Sequence, residues 1–177
     1  NVSPGTLVTW VAQASRLLGP TAELIATQLT QLPVLHADET GLRVNSQLQW
    51  MHVVAGDSHT WYGLHPKRGI DGITALNVLP NYTGVVVHDC WSSYWQLDCE
   101  HALCNAHLLR ELVYVKDLTK QVWPEKLMTL LKETNKICKA AVEQNIAIEE
   151  PQIQAFHRVF DDLLKEGEAL HPPAQRK

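Results

Sequence analysis

The sequence predicts an α/β fold built on a mixed sheet, and three observations predict it. Between residues 34 and 65, short segments rich in β-formers are separated by tight turns. Two further short apolar segments follow, each reached through a stretch with helical character. From His107 onward the apolar residues keep helical spacing.

Taken in order, Thr6 to Leu18 is a predicted helix, because Leu7, Trp10, Val11, Ala14 and Leu17 recur on one face. Gly19-Pro20 is expected to stop it and to start a second helix, Thr21 to Thr30, which ends before Pro33. Val34 to Asp38 reads as a short apolar strand, with the chain staying extended through Leu42 and Val44. Asn45-Ser46 makes a turn into Gln47 to Ala55, and Gly56-Asp57-Ser58 turns again into His59 to His65. Strands joined so tightly are antiparallel neighbours.

Pro66 to Gly69 is a loop, and Ile70 to Leu79 a helix closed by Pro80. Gly84 to His88 is an uninterrupted apolar run of the kind buried on both sheet faces. Trp91 to Leu97 is a predicted short helix and His101 to Cys104 another buried strand. Leu127, Leu130, Leu131, Ile137, Cys138 and Ala141 then keep helical spacing, as do Ile153, Phe156, Phe160, Leu163 and Leu164. This order, an antiparallel meander followed by strands reached through helical crossovers, is that of a ribonuclease-H-like fold. The expected organisation is a helical linker at 1–32, a partial ribonuclease-H-like core at 33–118, a helical insertion at 119–170 and a linker tail at 171–177.

Composition limits the function classes. A chain of 177 residues suffices for one domain with a real core and a small helical appendage. No apolar run is long enough to span a membrane. Asn1 to Gly5 carries neither an initiator Met nor a signal peptide and reads as the cut end of a longer protein. The net charge of -4 does not favour nucleic-acid binding by the bulk surface, so DNA contact falls to local basic patches or metals. Cys90, Cys99, Cys104 and Cys138 are expected to be free thiols in a reducing cytoplasm.

Asp38 closes the first predicted strand and Asp89 follows the fourth. Neighbouring in the sheet, they would bring two carboxylates near enough to share a cation. Two divalent ions about 3.5–4 Å apart serve phosphodiester displacement, and Mg²⁺ prefers oxygen ligands. The alternative is that both acids merely begin loops or cap helices.

Several blocks carry a family resemblance. They are His36-Ala37-Asp38-Glu39-Thr40-Gly41, Leu48-Gln49-Trp50-Met51-His52-Val53-Val54, Thr60-Trp61-Tyr62 and His65-Pro66-Lys67-Arg68-Gly69. Val87-His88-Asp89-Cys90-Trp91 with Tyr94 continues them, and Cys99 to Leu112 completes the set. Together they resemble transposases of the insertion-sequence 66 family. The resemblance implies a ribonuclease-H-like core with an Asp-Asp-Glu triad, of which Asp38 and Asp89 are the first two members. It also implies Mg²⁺ or Mn²⁺ in a two-metal site, and cleavage of double-stranded DNA at element ends with strand transfer into target DNA. A homo-oligomer in the full protein and a bacterial, nucleoid-associated cytoplasmic location follow from it too.

The family's third acid lies on a later helix, in an Asn-Asn-x-x-Glu-Arg-like stretch that is absent here. The fragment is therefore expected to be catalytically incomplete, unless Glu111, on a helix after the fifth strand, supplies the third carboxylate. The alternative functions are thus a non-catalytic DNA-binding or assembly remnant, or a nuclease using Glu111. Glu39 ranks below Glu111, since in an extended chain it faces away from Asp38. His107, in Cys104-Asn105-Ala106-His107, is a candidate for positioning water or DNA. Lys67, Arg68 and Arg110 are candidate DNA contacts. Cys99, His101, Cys104 and His107 offer zinc-ligand chemistry, but their spacing is too tight for two converging ligand pairs, so zinc is not expected. Trp50, Trp61, Trp91 and Trp95 are expected in or near the core.

Overall fold

The structure is a computed structural model that describes residues 1–171. Of the linker tail expected at 171–177, all but His171 lies outside the described residues. The chain forms two compact units, Asn1–Cys104 and the segment from Asn105 onward.

The first unit opens with α1 (Pro4–Leu29), one helix where the sequence predicts two. Ser3 caps it, its hydroxyl accepting the Thr6 N–H at 3.2 Å, and Pro4 occupies the first turn, where a missing N–H costs nothing. Pro20 lies inside the helix rather than between two. It forfeits the bond to the Arg16 carbonyl, but this stretch of α1 is exposed, where that acceptor is open to solvent. Gly19 removes the Cβ that would otherwise press on the proline ring.

Five strands follow in the spatial order β3-β2-β1-β4-β5. β1 (Val34–Val44), β2 (Gln47–Ala55) and β3 (Thr60–His65) are the antiparallel meander, as expected. Asn45 and Ser46 join the first two with φ of 50° and 65°, the paired left-handed turn whose twist suits a two-residue hairpin. β4 (Val85–His88) and β5 (Glu100–Leu103) are parallel to β1 and to each other in turn. α2 (Ile70–Leu76) crosses from β3 to β4. Asn77, in the left-handed conformation, ends it before the expected stop at Pro80.

Burial alternates along β1, with Leu35, Ala37 and Glu39 inward and His36 and Asp38 on the opposite face. Leu35, Val54 and Val86 pack with Leu29 of α1, with Ile73 of α2 and with Val78, Leu79 and Tyr82 behind it. The helix expected over Trp91 to Leu97 is a single 3₁₀ turn, Tyr94–Gln96. Tyr94 is its buried member, whereas Trp91 and Trp95 are 39% and 50% exposed and do not belong to the core.

The second unit is wholly helical: α3 (Asn105–Thr119), α4 (Trp123–Gln144) and α5 (Glu150–Leu170). Lys120 and Asn145, both at positive φ, mark the breaks, and Pro124 and Pro151 sit in the first turns that follow. Leu112, Leu127, Met128, Leu131 and Leu163 form its core, with Phe156 and Phe160 against them. No helix among the described residues is long and apolar enough to cross a membrane.

The continuity of α1 is testable. Pro20→Ala restores an N–H facing the Arg16 carbonyl and replaces a residue costing about 3 kcal/mol in a helix interior. Amide hydrogen exchange between residues 16 and 24 is expected to slow markedly. Unchanged exchange would show that the helix already parts at Gly19.

Candidate active site

The site begins with the register of β1 against β4. Val34 pairs with Val85, Leu35 with Val86 and His36 with Val87, so two residues further on Asp38 and Asp89 face the same gap. Each offers a carboxylate oxygen within 4.8 Å of the other's. Asp38 does not end its strand, as the sequence suggests, but lies within it. β2 pairs with β1 to Val44, well past the point where β4 stops, and this keeps the chain extended. Its carboxylate accepts the Glu39 N–H at 2.8 Å. Asp89 sits in the turn after β4, where Cys90 takes φ of 69° and Asp89 Oδ1 accepts the Trp91 N–H at 3.0 Å.

His88, fully buried, sets this turn. Its Nδ1 accepts the Cys90 N–H at 3.2 Å, which leaves Nε2 as the proton-bearing nitrogen. Nε2–H then donates to His101 Nδ1 at 3.1 Å, and His101 Nε2–H donates to the Leu97 carbonyl at 3.3 Å. Tyr94 stacks on the His88 ring and Trp95 meets it edge-on. Burial, then the neighbouring His101, hold the His88 pKa below its ordinary value, although Asp89 pulls the other way. This bond chain packs His101 between the His88 ring and the Leu97 carbonyl.

On the buried side lies a group that sequence reasoning undervalued. The Glu39 side chain is 0% exposed, and both its oxygens are engaged. Arg68 Nε donates to Oε1 at 2.7 Å, and the Tyr94 hydroxyl donates to Oε2 at 2.6 Å. Burial, the bond to Glu39 and the surrounding negative charges all raise the Tyr94 pKa, so its proton stays in place as the donor.

Arg68, a candidate DNA contact by sequence, has its guanidinium over the Trp91 ring at 4.1 Å and the Trp50 ring at 5.1 Å, with Nη2 3.8 Å from Asp89 Oδ2. The loop that delivers it is pinned: His52 Nε2–H donates to the Lys67 carbonyl at 3.1 Å, and the Lys67 N–H donates to His65 Nδ1 at 3.1 Å. Gly72 lets α2 approach, since a Cβ there would collide with the Lys67 carbonyl oxygen and lie 2.8 Å from His52 Nε2. Lys67 keeps an exposed side chain.

The remaining candidates belong to the second unit. His107 is half-buried in the first turn of α3, and Arg110 and Glu111 are exposed on the same helix. All four cysteines are free.

The sequence model of the Transposase IS66 family matches residues 1–176. The chain belongs to that family. No curated protein matches this IS66 family chain. Among solved structures it is similar to a chain of the assembly titled "CryoEM structure of simian T-cell lymphotropic virus intasome in complex with PP2A regulatory subunit B56 gamma". Identity is 11% and the TM-score 0.32, over 50% of this chain and 42% of that one.

Two stability predictions follow from the geometry. Gly72→Ala should cost about 1–3 kcal/mol, read by urea denaturation, because the collision is with backbone rather than a flexible side chain. The second concerns pH. A histidine whose folded pKa lies below its unfolded value of 6.5 binds more protons when unfolded, so its contribution is complete above 6.5 and lost as pH falls below it. Unfolding free energy should therefore drop from pH 7 to 5, with a shallower slope in His88→Gln. Equal slopes would exclude His88 as a source.

Proposed function

We propose that the chain is the catalytic core of a ribonuclease-H-like transposase, in which Asp38 and Asp89 hold divalent cations for cleavage and strand transfer of double-stranded DNA. The facing carboxylates of β1 and the β4 turn carry this reading. Two hard oxygen donors on neighbouring parallel strands suit Mg²⁺ or Mn²⁺ and are poor ligands for softer ions. The strand order β3-β2-β1-β4-β5, with α2 as crossover, supports the ribonuclease-H-like reading.

When bound, such ions activate the attacking oxygen and stabilise the leaving one in an in-line displacement at phosphorus. The chain's own part is to orient. The β1 ladder holds the Asp38 backbone, and the His88 bond chain with the Trp91 N–H fixes the Asp89 turn. DNA contact is assigned to Lys67, whose exposed side chain makes no ion pair among the described residues, and to Arg110 on α3. His107 and Glu111 are the candidates for the third group. They lie one helical turn apart on α3, which begins two residues after β5 ends. The working state of the full protein is proposed to be a homo-oligomer.

The test is a Mn²⁺ titration by calorimetry, run beside Asp38→Asn and Asp89→Asn. Each substitution is expected to weaken binding by more than about 100-fold, beyond what loss of a supporting residue does. Binding that survives in both variants would remove the carboxylate pair from the reaction. His107→Gln and Glu111→Gln, titrated in the same way, assign the third ligand to whichever loses affinity.

A further inference from the structure

We propose that Arg68 is a positioning residue for the Asp89 carboxylate, an internal cation set by the loop after β3 rather than a contact for DNA. The proposal rests on the reading of Asp38 and Asp89 as metal ligands.

The guanidinium is engaged on several sides at once. Nε is committed to the buried Glu39 at 2.7 Å, the planar group lies over Trp91 and Trp50, and Nη2 faces Asp89 Oδ2 at 3.8 Å. The last contact is an ion pair without a hydrogen bond, so its value lies in direction rather than strength. Asp89 is thereby held at both oxygens: Oδ1 by the Trp91 N–H, Oδ2 by the charge of Arg68. Arg68 also touches the Trp91 ring, so it braces both the carboxylate and the backbone that carries it.

The loop is built for this. His52, His65 and the bare Cα of Gly72 fix the Lys67 peptide, which leaves Arg68 little freedom to swing outward. Its side chain is 33% exposed, whereas that of its partner Glu39 is fully buried. Three carboxylates, Asp38, Glu39 and Asp89, converge on this part of the sheet. One delocalised cation, bonded to Glu39 and paired with Asp89, offsets their repulsion.

Two effects of Arg68 on metal affinity have opposite signs, and this makes the proposal decidable. As a mere nearby positive charge, Arg68 would repel a cation, and its removal would tighten binding. As a positioning group, it prepares Asp89, and its loss would weaken binding. Lysine keeps the charge but lacks the planar fork that pairs with Glu39, stacks on tryptophan and reaches Asp89 together.

The experiment is a Mn²⁺ titration of the whole chain as wild type, Arg68→Lys, Arg68→Gln and Asp38→Asn, with a thermal melt of each. Arg68→Lys is expected to bind Mn²⁺ about tenfold more weakly, as for residues that orient metal ligands, while melting close to wild type. Arg68→Gln should bind no better than Arg68→Lys. If it unfolds because Glu39 is stranded, Arg68→Lys decides alone. Wild-type affinity in Arg68→Lys, or tighter binding in Arg68→Gln, overturns the proposal. A lowered melting temperature with unchanged affinity also overturns it, because that is the signature of a purely structural ion pair. A wild type that binds no Mn²⁺ instead refutes the metal reading itself, and this proposal with it.

Discussion

The parallel pairing of β1 with β4 is the constraint on which the rest depends. Side chains alternate with a period of two along a strand, so sliding this pair by one residue would turn Asp89 to the other face of the sheet relative to Asp38. The inward residues Leu35, Ala37 and Val86 guard against such a slip, because it would also expose the core they build. Hydrophobic burial thus fixes the register, and the register brings the acids together.

The same alternation turns Glu39 inward, and a buried carboxylate is costly unless both oxygens are satisfied. Arg68 and Tyr94 satisfy them, from two elements distant in sequence. The ion pair therefore does more than neutralise a charge. It ties the β3–α2 loop to the centre of the sheet, and Tyr94 ties the segment after β4 to the same carboxylate. A polar cluster in this position specifies which loops meet where, a property that apolar packing supplies less sharply.

Much of this was legible in the sequence. The meander, the crossover through α2 and the two parallel strands were announced by turn residues and short β-rich runs. Asp38 and Asp89 stood out by their placement after apolar strands and by the family blocks around them. The misses have physical reasons. Gly19-Pro20 reads locally as a helix stop, yet a proline in an exposed helix costs one bond whose acceptor is open to solvent, so α1 runs through. Asp38 looked terminal because Glu39 and Gly41, of types depleted in strands, follow it, although the chain beyond was expected to stay extended. The ladder with β2, a non-local feature, keeps them extended. Trp91 and Trp95 were expected in or near the core because their aromatic bulk invites it, and they lie at its edge, over Arg68 and the histidine pair. The Glu39 cluster was out of reach, since its members are 29 and 55 residues away from Glu39 and no periodicity links them. The signal available was an acid on the inward face of a strand, which demands a partner somewhere.

The two facing carboxylates differ in how they are mounted. Asp38 is set in the middle of a strand whose backbone is laddered to β2, so moving it means breaking several peptide hydrogen bonds together. Asp89 hangs in a turn held by single contacts from His88, Trp91 and Arg68, each able to give a little without the sheet giving way. One side of the gap is a fixed jaw and the other an adjustable one, so a change in the gap's width is taken up at Asp89 while Asp38 stays put.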